Sequence, residues 1–213
     1  MASRESSVNK SIGGKQNAPS PQRSAGSDAR RQAEAWVAKK IHVVADTDGG
    51  GKIRLSGPLE HDNIVNGYGL RAVLWTQGCP NHCPGCQNPE TWDFDTGLLV
   101  DVDEIKDRLR AFRGQAGLTF CGGEPFAQPK ACKEIADWCR RELGWNIWSF
   151  TGFTYELIKA EGGDKWEFLK SLDALIDGPF VLPERDLTLK FRGSRNQRLL
   201  HLQHGTGEIL SIE

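Results

Sequence analysis

Residues 70–97 read LRAVLWTQGCPNHCPGCQNPETWDFDTG. Ala72 to Thr76 is a strand-like run, and it feeds a loop that holds Cys79, Cys83 and Cys86. The spacing is C-x-x-x-C-x-x-C. Three thiolates on one tight loop can grip three corners of an iron–sulfur cube. No fourth cysteine lies nearby to take the last corner, and such cubes are normally held by four. Three cysteines imply an iron left for another ligand. An open coordination position is what separates a reactive metal site from a structural one. The rivals are a zinc knuckle and three unrelated buried thiols. Structural zinc wants four ligands, and the fourth on offer, His82, directly adjoins Cys83, which strains joint ligation of one ion. His82 is then a loop residue facing solvent or a partner.

Composition bounds the class. A chain of 213 residues suggests one domain with room for an accessory piece. The formal net charge of -1 offers no global basic field for nucleic acid or anionic lipid. Hydrophobic residues make up 38%, enough for a core once a polar tail is set aside. No apolar run approaches the ~18 residues a membrane helix needs. The first residues lack the apolar stretch of a secretory signal. The expectation is therefore a reducing, cytoplasmic setting, with the six cysteines as thiols or metal ligands rather than disulfides.

Residues 1–36 form a polar tail, and through residue 35 only Val8 and Ile12 are sizeable apolar side chains. Such a segment cannot offset its ordering entropy and is expected to be disordered. A transit peptide is the sharper reading, against which Glu5, Asp28 and the lack of an amphipathic face weigh. The remainder, 37–213, reads as one domain. Residues 40–46 and 52–56 are short strands around the turn TDGGG. The two glycines of IVNGYGLR (64–71) imply a bent backbone or a close approach. Asp101 resembles an N-cap, with Val102, Ile105, Leu109 and Phe112 at helical spacing over 102–113. Leu118 to Cys121 is a buried strand broken by GGEP (122–125), and a helix follows over 129–143. Strands at 145–150, 172–177 and 198–203 and helices at 154–161 and 164–171 complete the pattern. Alternating strands and helices imply βαβ units and a mainly parallel sheet. The unusual loops each follow a strand, so they gather at one edge of one sheet.

The cysteine triple resembles the hallmark of the radical S-adenosylmethionine (SAM) superfamily, and GGEP resembles its methionine-binding loop. More narrowly, NGYGLR, TQGCPNHCPGC, QNPETWDFDTG, GGEP, WSFTGFTYE, LIDGPF and FRGSRNQR occur in that order. Together they resemble the activating proteins of anaerobic (class III) ribonucleoside-triphosphate reductase, over roughly residues 52–203. The resemblance implies an α/β fold, a partial open (β/α) barrel of the radical SAM type with mainly parallel strands. It implies a 4Fe–4S cluster on Cys79, Cys83 and Cys86, with SAM chelating the fourth iron through its amino nitrogen and carboxylate oxygen. It implies a glycyl radical formed on the reductase, and a flavodoxin or ferredoxin-like electron donor. No ferredoxin-like cysteine insert lies between Cys86 and GGEP, so a single cluster is expected.

Gly122 and Gly123 let a ligand approach without a Cβ in the way. Glu124 is placed to favour the ammonium of SAM or to orient the strand-end backbone; Pro125 completes the loop. A plain strand-to-helix turn is the bland reading of GGEP. Gly85 departs from the wider superfamily, which usually carries an aromatic there, but resembles the reductase-activating branch, which has glycine. The resemblance then implies adenine contact by the backbone around Gly85, Cys86 and Gln87, or by an aromatic from another loop. Thr151 and Gly152 could touch the ribose or methionine carboxylate, or form a polar turn. Cys121 faces the cofactor or is a buried strand thiol, and Cys132 and Cys139 are core. Asp177 is a strand-end carboxylate or a turn residue. Arg192, Ser194, Asn196 and Gln197 bind cofactor, dock the reductase or form a solvated loop. Activation of a different glycyl-radical enzyme, or radical chemistry on a small molecule, stays open.

Overall fold

The computed structural model describes residues 51–213. The polar tail and the strand expected at 40–46 lie outside them. The elements in chain order are β1 (Lys52–Leu55), β2 (Glu60–Asn63), β3 (Arg71–Thr76), β4 (Leu98–Asp101), α1 (Val102–Ala111), β5 (Gly117–Gly122), α2 (Pro129–Trp138), β6 (Asn146–Phe150), α3 (Tyr155–Glu161), α4 (Gly163–Lys170), β7 (Ala174–Asp177), β8 (Arg198–Leu202) and β9 (Ile209–Ile212). A π-helical turn, Cys139–Leu143, extends α2 and ends at Gly144 with φ +67°. The helix expected over 129–143 is thus two helical pieces in series.

Among the described residues the strands form one mixed sheet in the order β4-β1-β3-β5-β6-β7-β8-β9, with β2 also paired to β3. Strands β3, β5, β6 and β7 are parallel neighbours. The five other pairings are antiparallel. A mainly parallel sheet was the expectation, and it is corrected here: the parallel part is the centre, flanked by antiparallel strands on both sides. The cause is local. β4 turns back on β1, and β8 on β7, without a crossover helix, and a parallel neighbour needs one.

The central strands bury both faces, which explains their near-continuous apolar runs. On one face Ala72 and Leu74 of β3 align with Leu118 and Phe120 of β5. These pack with Ile105 and Leu109 of α1, Ile135 of α2 and Phe168 of α4. On the opposite face Trp148, Ala174, Ile176 and Leu199 form a second cluster, joined by Phe150 and Phe191. Arg71 is fully buried at the amino end of β3. Its Nε donates to Thr119 Oγ1 (2.6 Å), its Nη2 to Leu118 O (2.7 Å) and its Nη1 to Asn146 Oδ1 (2.7 Å). The guanidinium lies 5.1 Å from the Trp148 ring centroid. Burial lowers its pKa to about 10. Arg71 therefore ties the amino ends of three parallel strands together, leaving their carboxyl ends to the loops.

Asp101 occupies the N-cap of α1, as the pattern suggests, but its side chain makes no capping bond. It pairs instead with Lys52 of β1 at 3.4 Å. No helix among the described residues is long and apolar enough to cross a membrane.

Candidate active site at the carboxyl ends of the parallel strands

Four loops leave the carboxyl ends of β3, β5, β6 and β7, and their backbones interlock. Gly123 N–H donates to Thr76 O (2.8 Å) and Glu124 N–H to Gly78 O (2.8 Å), so the GGEP turn is bonded to the root of the cysteine loop. Gly78 N–H and Cys79 N–H donate to Thr91 O (2.8 Å) and Trp92 O (3.1 Å), which folds QNPETW back under that loop. Gly122 needs its glycine because φ is +97°. Gly123 needs its own because a Cβ there would lie 2.5 Å from Gly78 O. The obstruction is backbone, not a side chain that can swing away. Gly123→Ala should therefore lower stability by about 1–3 kcal/mol, the usual cost of overpacking, read from the midpoint of urea unfolding.

Glu124 is completely buried and is the hub of the site. Its Oε1 accepts from Thr151 Oγ1 (2.8 Å) and Phe126 N–H (3.1 Å). Its Oε2 accepts from Gly152 N–H (2.8 Å) and Asn81 Nδ2 (3.1 Å). One carboxylate thus joins the cysteine loop, the GGEP turn and the loop after β6. Burial pushes its pKa above the ordinary carboxylate value, against the pull of those donors.

The loops enclose a cleft of ≈ 400 Å³. Cys79, Cys83 and Cys86 all line it, as do Gln87, Gly122, Gly123, Thr151 and Gly152. Gly85, Glu124 and Pro125 do not. Gly85, at φ +75°, packs beside Leu182, and Pro125 is buried at the start of a short 3-10 turn. His82 is exposed and stacks on Trp92, with ring centroids 4.7 Å apart. Cys121 also lines the cleft, whereas Cys132 and Cys139 are buried in the helix-side core. Asp177 stays outside: it is ion-paired with Arg198 and accepts from Tyr155 N–H (2.8 Å). Arg192 and Gln197 line the cleft. Ser194 accepts from Val181 N–H (3.1 Å) and Asn196 donates to Pro179 O (2.7 Å), so both shape the loop after β7.

The donor set fits a 4Fe–4S cluster. Six cysteines among the described residues are free thiols, and three of them come from one loop into one cleft. Cys86 Sγ accepts from Asn88 N–H (3.4 Å), the kind of bond that tunes cluster sulfurs. Burial pushes the Cys83 thiol up to about 11 and raises Cys79 further above its ordinary value. Bare, these sulfurs are neutral; ligation must release their protons. Among the described residues no three His, Cys, Asp or Glu side chains are grouped for a single ion. A cube asks for something different, since each thiolate holds its own iron.

Several cleft residues escaped the sequence reading. Asn66, Asn81, Trp75, Trp92 and Phe180 all line it. The one signal for Asn66 was its place beside the glycines of NGYGLR. Nothing in composition or spacing marks Asn81 apart from the other residues between the cysteines.

Residues 65–200 match the family model described as a 4Fe-4S single cluster domain. The site and the match together define a protein of the single-cluster iron–sulfur class. Three relatives named anaerobic ribonucleoside-triphosphate reductase-activating protein narrow this. The one from Enterobacteria phage T4 is 36% identical over 146 residues, covering 64% of this chain and 87% of the relative. Those of Pasteurella multocida and Escherichia coli are 33% and 32% identical, covering 63% and 66% of this chain and 89% and 94% of the relatives. The chain belongs to the family of anaerobic ribonucleoside-triphosphate reductase-activating proteins. Among solved structures, the crystal structure of QueE from Escherichia coli aligns at TM-score 0.38 and 14% identity, over 47% of this chain and 52% of that one.

Proposed function

We propose that this protein is a radical SAM activating enzyme that generates a glycyl radical on anaerobic ribonucleoside-triphosphate reductase. The observation that carries the reading is the convergence of three loop thiols, Gly122, Gly123 and Thr151 on one cleft. Cys79, Cys83 and Cys86 hold the 4Fe–4S cluster. When bound, the cluster supplies the electron that splits the sulfonium carbon–sulfur bond of SAM, and the fragment takes a hydrogen atom from a glycine of the reductase. The rest is the protein's work: position, electrostatics and exclusion of side reactions.

Gly122 and Gly123 bring bare backbone to the cleft, and Gln87 with Cys86 borders the nucleoside, whereas Gly85 stays outside the cleft. Glu124 acts through others. Its four hydrogen bonds hold Thr151, Gly152 and Asn81 in place, so it positions the cofactor rather than touching it. We read the parallel centre of the sheet as the open, partial barrel of the radical SAM type, with the cleft at its mouth. The electron donor is a flavodoxin or ferredoxin-like protein, and the six free thiols suit a reducing compartment such as the cytoplasm.

The test is anaerobic reconstitution. It should give about four irons per chain, as one cube requires. Electron paramagnetic resonance of the reduced protein should change on adding SAM, and 5′-deoxyadenosine should be released. Addition of the reductase should then produce a glycyl-radical signal on it. Release of 5′-deoxyadenosine with a radical on another glycyl-radical enzyme, and none on the reductase, would reassign the target.

A further inference from the structure

His82 directly precedes Cys83 in the chain, yet it lies outside the cleft that its neighbours Asn81 and Cys83 line. Its φ of +45° is uncommon for a residue with a side chain. At this turn the loop changes sides: Asn81 is buried, and His82 is exposed. The imidazole stacks on the indole of Trp92, with ring centroids 4.7 Å apart and planes at 23°. Trp92 in turn lines the cleft. Its carbonyl accepts from Cys79 N–H (3.1 Å). The His82 N–H lies close enough to the Cys79 sulfur to lower that thiol's pKa against the effect of burial. Two stacked rings thus lead from solvent to the cleft wall. Each is rooted beside a cysteine of the loop, His82 by its peptide bond to Cys83 and Trp92 by its hydrogen bond to Cys79.

We propose that the exposed His82–Trp92 stack is where the electron donor docks and where its electron enters the protein. This rests on the activity proposed above and adds the donor's site to it. The two protein partners of that activity make different demands. The target gives up a hydrogen atom, which moves only between groups in contact, so the target must reach the cleft. The donor gives up an electron, which crosses a thin layer of protein without contact, so the donor can stay outside. A face that borders the cluster loop but not the cleft meets the second demand and leaves the cleft open for the first. The donor that fits is a protein whose one-electron centre, a flavin or an iron–sulfur cluster, lies near its own surface. On docking, one electron passes from that centre to the cluster. The donor is oxidised by one electron, the cluster is reduced by one, and no proton or group moves. Aromatic rings are also the side chains on which interface affinity most often depends.

The test compares two reductants on the reconstituted protein under anaerobic conditions, with release of 5′-deoxyadenosine from SAM as the readout. Dithionite is small and needs no docking face. Flavodoxin, kept reduced by its NADPH-dependent reductase, needs one. His82→Asn removes the ring and keeps a residue type that accepts positive φ. Its kcat/KM for flavodoxin should fall about tenfold, the scale of one lost interface anchor. Its rate with dithionite and its iron content should match wild type. Should the asparagine variant lose iron, His82→Gly, which adopts the turn without strain, is read in the same way. Equal losses with both reductants, no loss with flavodoxin, or loss of iron in both variants would each overturn the proposal. So would a wild-type protein that dithionite drives and flavodoxin does not. A wild-type protein driven by neither would overturn the proposed activity as well.

Discussion

Cys83→Ala should yield a folded protein that binds little iron and releases 5′-deoxyadenosine more than about 100-fold more slowly than wild type. The magnitude follows from the geometry of the loop. Groups that merely support a metal ligand are worth about 10–100-fold when lost, and Cys83 is proposed as a ligand itself. Cys83 is half-buried and belongs to a tight turn in which Cys86 N–H donates to Cys83 O (3.0 Å). That bond is backbone to backbone and survives the substitution, so folding should survive too. A replacement thiol is at hand in Cys121, which lines the same cleft. Rescue by it is not expected: Cys121 belongs to β5, where Trp75 and Cys121 are in register, and it cannot move to the vacated corner without breaking the sheet. Cys132→Ala is the control. That thiol is buried in the helix-side core, and its truncation should leave iron content and nucleoside release near wild type. Iron and sulfide analysis with product chromatography decides the matter, and a Cys83→Ala protein that keeps both would remove the cluster from this loop.

The parts of this site that could be read in advance are those with local signatures. Cys79, Cys83 and Cys86 are three rare residues at fixed spacing, and Gly122 and Gly123 stand where an apolar strand must stop. The central strands were legible because both faces are buried and the runs are unbroken: Leu118 to Phe120 needed no alternation to be seen. The misses share a cause. β2 is Glu60–Asn63, EHDN, a strand by virtue of pairing with β3 and not by its composition. β4 has Leu98 and Leu99 exposed at the sheet edge, so it lacks the pattern of a half-buried strand. These two and the return of β8 turned an expected parallel sheet into a mixed one. At the site, Asn81 was invisible for a related reason. Its importance lies in Glu124 and Gly152, 43 residues away in the hydrogen-bonded case, and only the fold brings them together. The role of Glu124 was half legible: orienting the strand-end backbone was one of two readings, and its hydrogen bonds support that one.

Glu124→Ala should cost about 3–5 kcal/mol of stability. Four donors lose their acceptor: Thr151 Oγ1, Asn81 Nδ2 and the N–H groups of Phe126 and Gly152. Each buried, unsatisfied donor costs about 1–3 kcal/mol. The losses are not additive, because the groups share one partner and the Thr151 hydroxyl can rotate. Removing the carboxylate also removes the cost of burying it, which offsets part of the loss. That buried charge gives the prediction its second arm. Glu124 has a folded-state pKa above its ordinary value of 4.5 because of desolvation. The folded chain then holds the proton to higher pH than the unfolded chain does. Stability from this group is full below 4.5 and declines as pH rises through the raised folded-state value. Urea unfolding followed across that window should show the decline in wild type and a flatter profile in Glu124→Ala, on a lower curve throughout. Because Asn81 and Gly152 lose their common anchor, cleavage of SAM should fall by about 10–100-fold even where the variant is folded and iron-loaded. A variant as stable and as active as wild type would mean that the cysteine loop and the loop after β6 hold their places without the carboxylate between them.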